Sequence, residues 1–425
     1  MSCILCFIDD DFQEKIRSFS QLKSERFEDI LEHFKSNFLN ELGLLENINH
    51  CETHKHFNTK TQKLAVEFHK QINELKDLEL FFNSLIMIYL SWIKGNISKS
   101  KEEFRNLLFS KDIFQSTDKI NNTIFFRGRK SQNLLTKDDI FHIPFNKRNQ
   151  IGNQRYSISG QPVLYFGYSL IDIVFELNGK IDEIENLYFS SFLNKTDKKL
   201  KVLDLTNPFA ELFSEYEILS NENTEFYNTY GRLDVQSNFY KFILIQFCTF
   251  KRKDCRNSQF SEEYVLPQLI SQIVKDNYFD GILFSSSRFD NKVCFSKRKN
   301  YSNRYRENLA LFTKYSEKED YDKDLLNQFI ISMPINIESL QDISLQELEE
   351  LRSQIGKIVR RGAKPPFHLD ITEISGTRTL TIFENVYINE NQNEFKYFEH
   401  KIGKLHLLLV YNLVLEFRNQ LIKTI

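Results

Sequence analysis

The chain has 425 residues, 41% of them apolar, with 40 Phe, 18 Tyr and no low-complexity tract, which predicts about two or three folded units and excludes a disordered or fibrous protein. Its 56 basic and 58 acidic residues leave a net charge of −2. There is no basic excess to draw a nucleic acid or an anionic membrane, so neither is an expected partner. Six cysteines in so long a chain make no disulfide framework.

The opening "MSCILCFIDDDF" turns acidic after a short apolar segment. It lacks the basic start and long apolar core of a secretory signal, so a reducing, cytoplasmic setting is expected. Residues 1 to about 115 read as a helical domain, with Leu64, Ala65, Phe68, Ile72 and Leu75 at helical spacing. The greasiest run, "LFFNSLIMIYLSWIKG", is interrupted by Asn83, Ser84 and Ser91. It is shorter than the ~20 residues a bilayer span needs and reads as a buried helix.

Texture changes near Asn121. "TIFFRGR" and "QPVLYFGYS" read as strands, the second preceded by Gly160 and Pro162. "LIDIVFEL" reads as a helix capped by Ser169. "KVLDLTN" and "FYKFILIQFCTF" read as strands, "SEEYVLPQLISQIVKDN" as a helix kinked near Pro267, and "FDGILFSSS" as a strand. Residues 116–300 are therefore expected to form an α+β domain. Residues 301–425 read as a separate α+β extension. "SLQE" (344–347) looks like a capping box, "TRTLTIFENVYI" like strand, and 399–423 like a long apolar helix.

The Gly-rich phosphate loop, HExxH and GxSxG are all missing, which argues against nucleotide triphosphatases, zinc peptidases and α/β-hydrolases. The middle region offers Arg127, Arg155, Tyr165, Glu176 and Ser286, each near the end of an expected element. Two guanidinium groups suit a pyrophosphate, and an aromatic ring suits a flat heterocycle. A carboxylate can stabilise the oxocarbenium-like state through which a glycosidic bond breaks. NAD⁺ calls for this combination. The plainer alternative is that these common residue types are scattered and that Glu176 is a solvated surface carboxylate.

"FFRGRK", "FHIPFNKRNQIGNQRYSISGQPVLYFGYSLIDIVFE", "EYVLPQLI" and "YFDGILFSSS", in that order, resemble the RES domain family, which is similar in fold to ADP-ribosyltransferases and includes NAD⁺-destroying toxins. The resemblance implies that Arg127, Arg155 and Ser286 hold the phosphates and ribose. It implies that Tyr165 faces the nicotinamide and that Glu176 polarises the nicotinamide ribose. Phe284 stands where the family often has tyrosine, and the register among Ser285, Ser286 and Ser287 is open by one residue. The implied activity is NAD⁺ phosphorylase or glycohydrolase chemistry. The acceptor stays open among phosphate, water and a protein side chain, the last making the enzyme an ADP-ribosyltransferase. An antitoxin or regulatory protein is the implied partner, in a phage-defence or stress setting. The rival expectation is a non-catalytic sensor or an RNA-directed module.

The N-terminal part is similar to HEPN-like regions that precede some longer RES proteins and begin with CxxCF, as Cys3, Cys6 and Phe7 do here. Cys51 and His54 would complete a CxxC…CxxH set for structural zinc. The bland alternative is two small buried cysteines and a polar loop. Arg26 and His33 have an Arg-x6-His spacing reminiscent of HEPN ribonucleases, or are an ordinary pair on a helix surface.

Overall fold

The computed structural model describes residues 2–57, 59–117, 120, 123–178, 186–194, 199–209, 234–252, 260–287, 307–340, 350, 405–406, 408–413 and 415–416. The expected capping box at 344–347 and the strand-like "TRTLTIFENVYI" lie outside these residues. Of the expected C-terminal helix, residues 405–406, 408–413 and 415–416 are described and are helical.

Helices open the chain: α1 (Ile4–Phe7), α2 (Asp10–Gln21), α3 (Phe27–Gly43), α4 (Thr59–Asn73), α5 (Leu78–Ile93) and α6 (Ile97–Ser110). Asp9 starts α2 by accepting bonds from the Asp11 and Phe12 amides. On α3 the buried face is Phe27, Ile30, Leu31, Phe34, Phe38 and Leu42, the i, i+3, i+4, i+7 stripe that an amphipathic helix needs. The greasy run lies mostly in α5, which buries Phe81, Phe82, Leu85, Ile86, Ile88 and Tyr89 but leaves Leu80, Met87 and Ile93 exposed. Among the described residues no helix is long and apolar enough to cross a membrane.

The strands are β1 (Ser116–Thr117), β2 (Ile124–Lys130), β3 (Val163–Gly167), β4 (Leu187–Asn194), β5 (Val202–Leu205), β6 (Gly281–Ser285), β7 (Glu307–Phe312), β8 (Phe329–Ile331) and β9 (Ile335–Asn336). They form one mixed sheet in the order β1-β5-β6-β7-β3-β2-β4-β8, with β9 also on β4. β5 and β6 are parallel and the other pairs antiparallel. Among the described residues the sheet is accompanied by helices α7 (Lys137–Ile140), α8 (Leu170–Asn178), α9 (Val235–Cys248), α10 (Val265–Asp276) and α11 (Lys323–Asn327).

Among the described residues side-chain alternation gives two large cores, beside a small cluster of Leu193, Ile330 and Leu413. Leu164, Phe166, Leu309 and Leu311 enter one, with Phe125, Phe192 and Phe329. Val163, Tyr165, Ala310 and Phe312 face the other, which they share with α1–α6, α9 and α10. Rings from both ends of the sequence meet there: Phe34 lies edge-on to Phe247 and Phe250. The change of texture near residue 115 is thus no break in the core.

Three expectations change. "FYKFILIQFCTF" lies mostly in helix α9 rather than in a strand. Thirteen of its fourteen residues are buried, so the helix shows no polar face to reveal its period. Pro267 does not kink α10, because it is the third residue of the helix, where the missing N–H has no intrahelical partner to lose. The sheet does not end at 300. β7, from beyond that point, lies between β6 and β3, and β8 and β9 extend the far edge. β4 and β7 were unrecognised as strands because every position along them is buried, leaving no alternation to read.

Candidate functional site

The sheet is split where β2 meets β3. These strands share a single register pair, Phe126 with Gly167, whereas β2 follows β4 over seven pairs from Ile124 to Lys130. Beyond Phe126 they diverge, and a cavity of about 330 Å³ opens between them, within the usual size of a small-molecule site. Arg127 to Lys130 line one wall and Val163, Tyr165, Phe166 and Gly167 the other. Helix α8 contributes Ile173, Glu176 and Leu177. Its close approach depends on Gly128, where a Cβ would stand 2.6 Å from Ile173 Cγ2 and 2.9 Å from Leu177 Cδ1.

Arg127, Arg155, Tyr165 and Glu176 all line this cavity. Arg127 donates from Nε to the Ile140 carbonyl and from Nη1 to the Tyr165 carbonyl, each at 2.7 Å. Burial, with Arg129 nearby as a second cause, lowers it to about 10, which leaves it cationic at neutral pH. Arg155 sits in a cage: Nη1 donates to the Cys248 carbonyl, and Nη2 donates to the Phe250 carbonyl (3.0 Å) and Ser287 Oγ (2.5 Å). Its guanidinium lies 4.9 Å from the Tyr264 ring centre. Tyr165 Oη accepts from the Tyr156 amide at 3.2 Å, and burial pushes its phenol well above the ordinary value, so it stays neutral.

Glu176 reaches the cavity from the last turn of α8. Its Oε1 accepts from Ser286 Oγ at 2.6 Å and from Asn308 Nδ2 at 3.1 Å. The adjacent serines have different partners: Ser286 bonds Glu176, while Ser287 bonds Arg155 and lines the cavity. The one-residue ambiguity in the sequence thus covers two side chains that both serve the site.

Sequence reading missed Arg129, Lys130, Arg252 and Asn308, which also line the cavity. With Arg127 and Arg155, five cationic residues face it against one carboxylate among the described lining residues, so the cavity favours a polyanion. The signal available for Arg129 was strand period: it lies two residues beyond Arg127, on the same side of β2. Asn308 had no signal, because β7 was not recognised. Gln268, on α10, steadies the loop before β3 by donating to the carbonyls of Gln154 (2.9 Å) and Ser157 (3.1 Å).

Cys3, Cys6, Cys51 and His54 come together in a second cluster, with their ligand atoms all within 4.8 Å of one another. Arg26 and His33 do not form a site of this kind. Arg26 is 71% exposed and bonds Glu28, and His33 is exposed on α3.

The sequence is similar to a Bacillus subtilis (strain 168) protein named "Putative toxin YopC", at 30% identity over 285 residues. The alignment covers 64% of this chain and 60% of that protein. No family model matches the chain, and no solved structure matches it. The comparisons therefore establish a likeness, over somewhat less than two thirds of each chain, to a protein named as a toxin.

Proposed function

We propose that the chain is a RES-type, toxin-like enzyme that binds NAD⁺ in the split between β2 and β3 and breaks the nicotinamide–ribose bond. The observation that carries this reading is convergence. Arg127, Arg155, Tyr165 and Glu176, selected as a set for a dinucleotide, line a single cavity, and Ser286 bonds the carboxylate. Scattered surface residues would not do so. The name of the Bacillus relative supports the toxin part of the reading.

In this reading the arginines hold the pyrophosphate, and their carbonyl partners fix the guanidinium planes before substrate arrives. Tyr165 offers an aromatic surface to the nicotinamide end. As the C1′–N bond breaks, its electron pair leaves with the nicotinamide nitrogen, neutralising the pyridinium, and positive charge develops on the ribose. Glu176, held by Ser286 and Asn308, stabilises that charge. An acceptor oxygen then bonds C1′, and where the acceptor is water or phosphate its proton passes to solvent. In a cell the open cleft would need a covering partner, which fits an antitoxin.

The test is incubation of purified protein with NAD⁺, with and without phosphate, followed by mass spectrometry. Nicotinamide should be released, and a phosphate-dependent ADP-ribose phosphate would identify phosphorolysis. Release only on adding a protein acceptor would make the enzyme a transferase. No nicotinamide under any of these conditions defeats the reading.

A further inference from the structure

The cysteine–histidine cluster has no part in that reaction. Cys3 and Cys6 lie one turn apart at α1. Cys51 and His54 lie one turn apart just after the 3-10 turn Ile48–His50. The sulfurs of Cys3, Cys6 and Cys51 stand 3.3, 3.4 and 3.5 Å from His54 Nδ1, and Cys6 and Cys51 are 3.5 Å apart. A tetrahedral zinc, with Zn–S near 2.3 Å and Zn–N near 2.0–2.1 Å, sets edges of about 3.5 Å for S···N and about 3.8 Å for S···S. Four of the six edges have close to these dimensions, and all six lie within 4.8 Å. Three thiols and an imidazole form a soft donor set suited to zinc, and four protein ligands close the coordination sphere, as in a structural site.

We propose that these four residues hold one structural zinc ion, and that the ion fastens the start of the chain to the segment that cages Arg155. The path is continuous. The Ile8 carbonyl, at the end of α1, accepts from Asn207 Nδ2 at 2.9 Å, and the same amide donates to Asp10 at 2.9 Å. From α2, Arg17 donates to Gln246 Oε1, Gln21 Nε2 donates to the Lys251 carbonyl at 2.8 Å, and Glu14 pairs with Lys251 at 2.5 Å. These contacts bracket Cys248 and Phe250, whose carbonyls hold Arg155. A four-residue helix such as α1 is too short to persist by its own hydrogen bonds. An anchor at Cys3 and Cys6 supplies what it lacks, and positions α2 through the connection at residues 8–9.

The test uses the full chain and reads metal and motion, so it stands whether or not the cleft consumes NAD⁺. Elemental analysis should find about one zinc per chain in the wild type and in His54→Cys, where a fourth thiolate replaces the imidazole, and far less in Cys51→Ser. Chelation of the wild type should lower Tm by ~5 °C or more, reversibly on zinc addition, which answers even where Cys51→Ser does not fold. Hydrogen exchange after chelation should quicken in residues 2–21 and also in 246–251. Failure of the reduced wild type to bind zinc, or a Cys6–Cys51 disulfide in its place, overturns the metal centre. Faster exchange confined to 2–21 overturns the link to Arg155.

Discussion

The cysteine–histidine cluster and the cleft are built on opposite plans. The first uses two short motifs, and its four side chains lie directly against one another. The second takes side chains from β2, the loop before β3, β3 itself, α8, β6 and β7, and holds them through third parties: carbonyls for the arginines, Ser286 and Asn308 for the carboxylate. In a self-contained centre every ligand is essential and the loss of one empties it. In a scaffolded cleft a side chain can lose its chemistry while the scaffold stands. Separating stability from turnover therefore tells the two apart.

The largest separation is expected at Glu176. Glu176→Gln keeps the shape and both donors' acceptor oxygen but removes the charge, so under the proposed function NAD⁺ turnover should fall by about 10²–10³-fold while stability stays within about 1 kcal/mol. Kinetics beside urea melts measure both, and undiminished turnover removes Glu176 from its role. Arg155→Ala should damage both properties. It takes a cationic group from the cavity and leaves the Cys248 and Phe250 carbonyls without their donor, at about 1–3 kcal/mol. A variant of wild-type stability would mean that the cage is unimportant to the fold.

Two glycines sharpen the contrast within the sheet. Gly281→Ala drives a Cβ to 2.3 Å from the Ala310 carbonyl oxygen, and neither strand backbone can yield easily. A loss of about 1–3 kcal/mol is expected from overpacking, read as a lower urea midpoint. At Gly128 the obstacles are the side-chain atoms of Ile173 and Leu177. Gly128→Ala should cost less stability but push α8, and Glu176 with it, so kcat should fall more than Tm. Equal loss at both sites would show that α8 is not placed by Gly128. The smallest effect belongs to Arg26→Ala, an exposed pair with Glu28. It should change stability by under about 0.5 kcal/mol and leave turnover alone, and any loss of turnover there would give this exposed arginine a part in the cleft reaction that its pairing with Glu28 does not suggest.

Local rules recovered β2, β3, α8, β5, α10 and β6, because each has a partly exposed face or a turn signal that sets its period or its end. They failed on α9, β4 and β7 for one reason: burial on all sides erases the pattern from which period is read. For α9 two signals remained. Its length exceeds that of most strands, and Asp234 precedes it as an N-cap, accepting from the Ser237 amide at 3.2 Å. The division at residue 300 failed because strand order in a sheet is not chain order, and β7 returns to the centre from the far side of that boundary.

Residue order carried Arg127, Arg155, Tyr165 and Glu176 as a set, through a resemblance and without Arg129 or Arg252, and it carried the paired CxxC and CxxH spacings, which are local because a helical turn suffices to put both members of a pair on one side. The cavity itself belongs to the tertiary structure. It exists because β2 leaves β3 after one pair to follow β4, and because β7 brings Asn308 against Glu176. Strand partnership is decided by which buried faces fit across the whole sheet, and no short stretch of sequence contains that information.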